Sequence, residues 1–164
     1  MRHRPLLFVG AAGLLASGCA SSPSAANESP APSSSGGWVG TFQPTQERTG
    51  VLAPTRLQQA GGTVRLRQSV RDPQRTTVSL AVSTALQEPT SLRWAVLPGR
   101  CGAGSLPLLS FEQFPPLDVT SSGRGQLEID VPIQLPESGS YHVNVYQGGT
   151  QITNVLTCAT LRRG

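Results

Sequence analysis

Histidine is scarce in this 164-residue chain: His3 and His142 are the two it has. Triad-type nucleophilic catalysis needs a Ser or Cys beside a base, usually His, with a third group orienting that base. Only His142 could serve, and it sits in the alternating run Tyr141-His142-Val143-Asn144-Val145-Tyr146. On a regular strand it faces away from Tyr141 and Val143, on the side of Asn144 and Tyr146. With no recognisable partner, it reads as a surface histidine, and no catalytic residue is assigned. The sequence holds no GxSxG elbow, HExxH, P-loop or calcium loop. No metal site and no cofactor are expected.

Paired carboxylates can do acid/base work without His. Glu128 and Asp130 are two residues apart on one strand face, which is equally the ordinary polar side of an amphipathic strand. Glu112 and Asp118 flank Phe114 and Pro115-Pro116 in a loop that also carries Phe111. Phe111, Glu112, Phe114 and Asp118 therefore make the candidate binding loop, with burial of its rings at an open end of the fold as the plainer reading.

Three cysteines divide into one and two. Cys101 and Cys158 are an even pair in a chain that reads as exported, so a disulfide is expected, closing a loop of about 58 residues. It would staple the loop after Trp94 to the last strand.

Cys19 belongs to the N-terminus. Arg2 and Arg4 supply a charged start, Leu6 through Leu15 an apolar run of roughly ten residues, and Ala16, Ser17 and Gly18 suit a narrow peptidase cleft. The run Leu14-Leu15-Ala16-Ser17-Gly18-Cys19 resembles the signal peptide of bacterial lipoproteins. There the Cys thiol receives a diacylglycerol, cleavage falls just before it, and the lipidated Cys becomes the first mature residue. Ala16 stands where the family usually has Leu, and a plain secretory signal cut near Ala16 or Ala20 is the alternative. The apolar run is shorter than the roughly 20 residues a spanning helix needs. One acyl chain holds a protein only marginally, and two or more hold it stably.

The organisation that follows is a signal peptide at 1–18, a lipidated Cys19 with a tether to residue 37, and a domain at 38–164. Residues 20–37 are rich in Ser, Pro and Ala and lack large apolar side chains, so they cannot offset their ordering entropy and read as a disordered tether. Its root-mean-square reach is about 25 Å. Of 13 basic residues Arg2 and Arg4 leave with the signal, so 11 Arg stand against 9 acidic residues, a balance of +2. Nucleic acid is not expected as a partner. Arg65, Arg67, Arg71 and Arg75 cluster without interleaved aromatics, which reads as a solvated strand face.

From Trp38 onward apolar residues alternate with polar ones between Gly and Pro turn signals. Val64, Leu66 and Val70 share a parity; so do Val78, Leu80 and Val82; so do Leu92, Trp94 and Val96; so do Leu127, Ile129, Val131 and Ile133. Pro132 cannot donate to a ladder, which puts an edge or a bulge there. Gln147-Gly148-Gly149-Thr150 reads as a hairpin turn into a last strand. No segment has helical spacing beyond the leader. The expected fold is all-β, an antiparallel Greek-key β-sandwich of about seven to nine strands.

Trp94 through Gly102, then Gly139 through Tyr146 and Cys158-Ala159-Thr160-Leu161, are similar to small secreted bacterial β-sandwich domains of the CHRD and superoxide-dismutase-like group. That resemblance implies a Greek-key sandwich. It departs from the dismutases in lacking their several His ligands, so it implies no dismutase chemistry. The function expected is a non-enzymatic binding or structural module of the cell envelope. It is held to the membrane by lipid on Cys19, with an envelope protein or glycan as partner; an envelope hydrolase using carboxylates is the alternative. Ala20-Ser21 after the Cys points to the outer membrane where the organism has two.

Overall fold

The computed structural model describes residues 36–44, 60–147 and 154–164. They fall within one compact unit, Ser33–Gly164. The leader, Cys19, residues 20–35 of the tether and the turn at Gly148-Gly149 lie outside the described residues.

Nine strands are present among them: β1 (Trp38–Pro44), β2 (Ala60–Gln68), β3 (Thr76–Thr84), β4 (Thr90–Pro98), β5 (Leu117–Val119), β6 (Arg124–Val131), β7 (Tyr141–Tyr146), β8 (Val155–Thr160) and β9 (Arg162–Arg163). A 3-10 turn, Phe111–Gln113, precedes β5. Every pairing is antiparallel.

The sandwich expected from the alternation, and implied by the resemblance, is not what forms. The order β2-β3-β6-β5-β4-β7-β8-β1 returns to β2 through the β1–β2 pairing, closing an eight-stranded barrel, with β9 the extra strand beside β1. Closure comes from two strands that change partners along their length. β1 pairs with β2 over Trp38 to Phe42 and with β8 at Gln43 and Pro44. β4 pairs with β5 over Thr90 to Leu92 and with β7 from Arg93 to Pro98. Alternation reports that each strand buries one face, which holds equally in a sandwich and a barrel. Which strands turn the corner is a long-range matter that the pattern does not carry.

The interior is built from facing rungs. Val64, Leu80 and Leu127 lie opposite one another, as do Leu66, Val78 and Ile129. Trp94 and Val145 face each other across the β4–β7 ladder and are fully buried. Each such side chain contributes about 1.5–3 kcal/mol by leaving water. At Gly62 in β2 the backbone has φ +141°, and a Cβ there would lie 2.0 Å from the Ala81 carbonyl oxygen, so only glycine fits.

Two tryptophans tie irregular segments to the barrel. Trp38 Nε1 donates to the Pro136 carbonyl at 2.8 Å, and its ring meets Tyr141 edge-on at 5.4 Å. Trp94 Nε1 donates to the Pro115 carbonyl at 2.7 Å, and its ring meets Phe114 at 4.9 Å.

One strand reading is corrected. Val70 is 94% exposed because β2 ends at Gln68 and the chain turns, Ser69 N–H donating to Arg75 O. Pro132 follows the end of β6 at Val131, where the strand is paired with β3 alone and so lies at an edge.

Candidate functional site

β7 is covered on both faces. Val143 and Val145 point into the barrel, while His142, Asn144 and Tyr146 point outward as their parity demands, yet all three are buried. The expectation of a surface histidine is therefore corrected: the side is right and the surroundings are not. The cover is the segment from Gly99 to Phe111, which folds back over the outer wall of β4, β7 and β8.

Several bonds hold that cover. The Cys101–Cys158 disulfide fixes it to β8 across 57 residues of sequence. Ser105 Oγ donates to the Pro98 carbonyl at 2.6 Å, and Leu108 N–H donates to the Val96 carbonyl at 2.9 Å. Gly99 turns at φ +89° and points its carbonyl at His142 Nδ1, 3.1 Å away. A carbonyl only accepts, so Nδ1 carries the proton and the neutral ring leaves Nε2 bare. Burial pushes the His142 pKa below its usual 6.5, and the Gly99 bond opposes that only partly. Nε2 has no hydrogen-bond partner.

Between the cover and the wall lies a cleft of about 810 Å³. Leu97 and Asn144 line its floor, Phe111 and Leu106 its cover, Val155 and the disulfide its side. Asn144 is 9% exposed, its Nδ2 donates to the Tyr146 hydroxyl at 3.3 Å, and its Oδ1 is buried without a partner. Burial raises the Tyr146 pKa, keeping the hydroxyl protonated, with the Asn144 bond pulling the other way. Arg162 is the charged side chain of the lining among the described residues. A buried polar atom without a protein partner is costly, about 1–3 kcal/mol, so each such atom calls for a cause. The arrangement can hold a neutral, hydrogen-bonding molecule and offers no nucleophile beside a base.

The candidate loop does not act as one surface. Phe114 is 5% exposed and belongs to the core with Trp94, the plainer of the two readings made of it. Phe111 enters the cleft wall, its ring edge-on to Tyr146 at 5.5 Å. Glu112 is exposed, its carboxyl held below the usual range first by its own backbone N–H, then by the Ser110 hydroxyl. Asp118 lies on the outer face of β5 and accepts from Ser91 Oγ.

The other carboxylate pair is equally occupied. Glu128 meets Arg67 at 3.0 Å and accepts from Ser79 Oγ. Asp130 accepts from Thr77 and Ser69 hydroxyls, which hold its pKa below 3.8 in that order, with Arg71 and Arg75 adding to the effect. Arg65 and Arg67 stand on the exposed outer face of β2, and a second, shallower depression of about 690 Å³ runs over them between β1 and β6.

No group of three or more metal-ligating side chains occurs among the described residues, and no helix there is long and apolar enough to cross a membrane. The class that fold and cleft define is a closed antiparallel β-barrel with a ligand-sized pocket on its outer wall. No family model matches this chain, and no curated protein matches it.

Asn144 and Tyr146 are the site residues that sequence reasoning passed over. A signal for them was present: the expected disulfide brings the Cys101 loop to the last strand, beside the Tyr141 run, and so over its outward side chains.

Proposed function

We propose that the mature chain is a lipid-anchored module of the cell envelope that binds a small envelope ligand in the outer cleft. The observation that carries the binding half is Asn144, whose buried carboxamide has an unpartnered end in a cleft otherwise apolar or uncharged except for Arg162. The carboxylates bear against the hydrolase alternative. Glu128 and Asp130 are each engaged by hydroxyls or Arg67, Asp118 by Ser91, and Glu112 and Asp130 are held ionised, which suits none of them to act as a general acid.

The anchoring half rests on the leader, Cys19 and the Ser/Pro/Ala-rich tether. A tether of that composition lets the barrel range about 25 Å from the bilayer, within reach of glycan or protein at the surface. Ala20 and Ser21 favour the outer membrane in a two-membrane organism. Intact mass and detergent partitioning of natively expressed protein test this. The expected result is a chain beginning at a diacylglycerol-bearing Cys19 that enters the detergent phase, and a Cys19→Ala chain that does not. An unmodified, freely soluble wild-type chain overturns the assignment.

A further inference from the structure

We propose that the end of the barrel bearing the β2–β3 turn docks reversibly on an anionic bilayer surface, so that the domain stands on the membrane holding its tether. The inference rests on the anchor proposed above and gives the anchored barrel an orientation. Three contacts fix where the tether enters. Trp38 opens β1 opposite Leu66, near the end of β2; Arg163 Nη1 donates to the Gly36 carbonyl at 2.7 Å; Gly164 N–H donates to the Gly37 carbonyl at 3.0 Å. Val70 follows Leu66 by four residues, so no more than about 15 Å of chain separates the two. A lipid on Cys19 keeps the bilayer within the tether's reach, about 25 Å, of this end of the barrel, which raises the effective concentration of one for the other.

The turn itself is pinned. Ser69 N–H donates to the Arg75 carbonyl and Arg75 N–H to the Asp72 carbonyl, each at 2.9 Å, while Asp72 Oδ1 accepts the Gln74 N–H at 2.9 Å. Ser69, itself buried, accepts the Arg71 N–H on its hydroxyl and donates that hydroxyl to Asp130. These bonds leave Val70 outermost, 94% exposed, with Arg71 exposed beside it. One valine in water is ordinary. A valine on a pinned turn among arginines, at the end where a lipid tether enters, is the makeup of an interfacial contact, in which apolar burial and attraction to anionic headgroups add. Arg67 is spent on Glu128. Even so, Arg71, Arg75, Arg162 and Arg163 outnumber Asp72, Asp130 and Glu137 at this end. The opposite end, at the β3–β4 and β5–β6 turns, carries Glu88 and Arg124 and no exposed large apolar side chain among the described residues. Charge alone would suit any polyanion; the apolar tip and the tether's entry at the same end select a bilayer.

The test is sedimentation of the mature chain from residue 19, carrying Cys19→Ala so that no lipid holds it, with extruded vesicles. One set is phosphatidylcholine alone, the other phosphatidylcholine and phosphatidylglycerol in equal parts. The chain should bind the anionic vesicles saturably and at least tenfold more tightly than the neutral ones, and the difference should shrink as salt is raised. Val70→Asp should weaken that binding at least tenfold and Arg71→Gln about fivefold, each variant judged folded by its unfolding temperature. Arg124→Gln, at the opposite end, should leave it within twofold. No preference for anionic vesicles, or an Arg124→Gln loss as large as that of Arg71→Gln, overturns the inference. So does unchanged binding by Val70→Asp, which would make the contact one of charge alone, open to any soluble polyanion. The anchor fails separately, through the intact mass of the native chain.

Discussion

The outer wall of the barrel has two halves that follow the same alternation and meet different surroundings. On β2, β3 and β6 the outward residues Arg65, Arg67, Gln126 and Glu128 stand in water, and their polarity costs nothing. On β4 and β7 the outward residues Ala95, Leu97, His142, Asn144 and Tyr146 lie under the Gly99–Phe111 segment, and His142 and Asn144 are each left with an unpartnered atom. A stable fold has no need of the second arrangement: apolar residues at 142 and 144 would pack under the same cover without desolvating an imidazole and a carboxamide. The difference marks the covered half as the place where stability is set against another requirement.

The sharpest way to break the contrast is to remove what holds the cover. Cys101→Ser with Cys158→Ser opens a 57-residue cross-link, worth about 4 kcal/mol on the chain-entropy account. Unfolding by denaturant should show a loss of that order. Amide exchange should accelerate first from Cys101 to Pro107 and along the outer face of β8, and least on β2 and β3. Uniform acceleration around the barrel would mean the disulfide serves the whole fold and not the cover.

Much of this contrast was already written in the sequence, and the reasons for the rest are physical. β3, β6 and β7 were legible because each keeps period two over six or more residues. β5 was not, being three residues, Leu117 to Val119, embedded after Pro115-Pro116 and paired with only the first three residues of β4 and with Gly125 of β6. Barrel closure was hidden because it depends on β1 and β4 changing partners midway, which leaves no local trace. Parity placed His142, Asn144 and Tyr146 on one outward face, but parity says nothing of what lies above that face. Only the disulfide reaches far enough along the chain to say it. The binding loop read from Phe111, Glu112, Phe114 and Asp118 dispersed for a related reason: a continuing 3-10 turn would set Phe111 and Phe114 on one face, but the turn ends at Gln113 and Phe114 is extended, so Phe114 reaches the core and Phe111 the cleft.

His142 offers a second, smaller probe of the covered half. Its folded pKa is depressed by burial from 6.5, so above pH 6.5 both folded and unfolded chains hold it neutral. As pH falls below 6.5 the unfolded chain takes up a proton that the folded one refuses, and stability declines until the folded pKa is reached. The slope is at most about 1.4 kcal/mol per pH unit, one proton's worth. Groups packed against the ring are neutral: the Gly99 carbonyl, with Leu97 and Thr160 opposite it on the neighbouring strands. His142→Gln, which can still donate to Gly99, should flatten unfolding free energy between pH 6.5 and 5. A wild-type profile already flat over that range would mean the imidazole is reached by solvent.

The smallest effect belongs to the solvated half. Arg67 and Glu128 sit 3.0 Å apart with side chains 46% and 59% exposed, so their attraction is screened by water and partly cancelled by the entropy of holding two long side chains. Ser79 Oγ also donates to Glu128, and that bond survives loss of the arginine. Arg67→Ala should therefore change stability by no more than about 0.5 kcal/mol, and the change should shrink further at high salt. It should leave exchange under the cover untouched, because β2 faces away from the Gly99–Phe111 segment. A cost above about 1 kcal/mol, or one that salt does not reduce, would mean that this half of the wall is as specifically built as the other. The depression over Arg65 and Arg67 would then have to be counted as a second site.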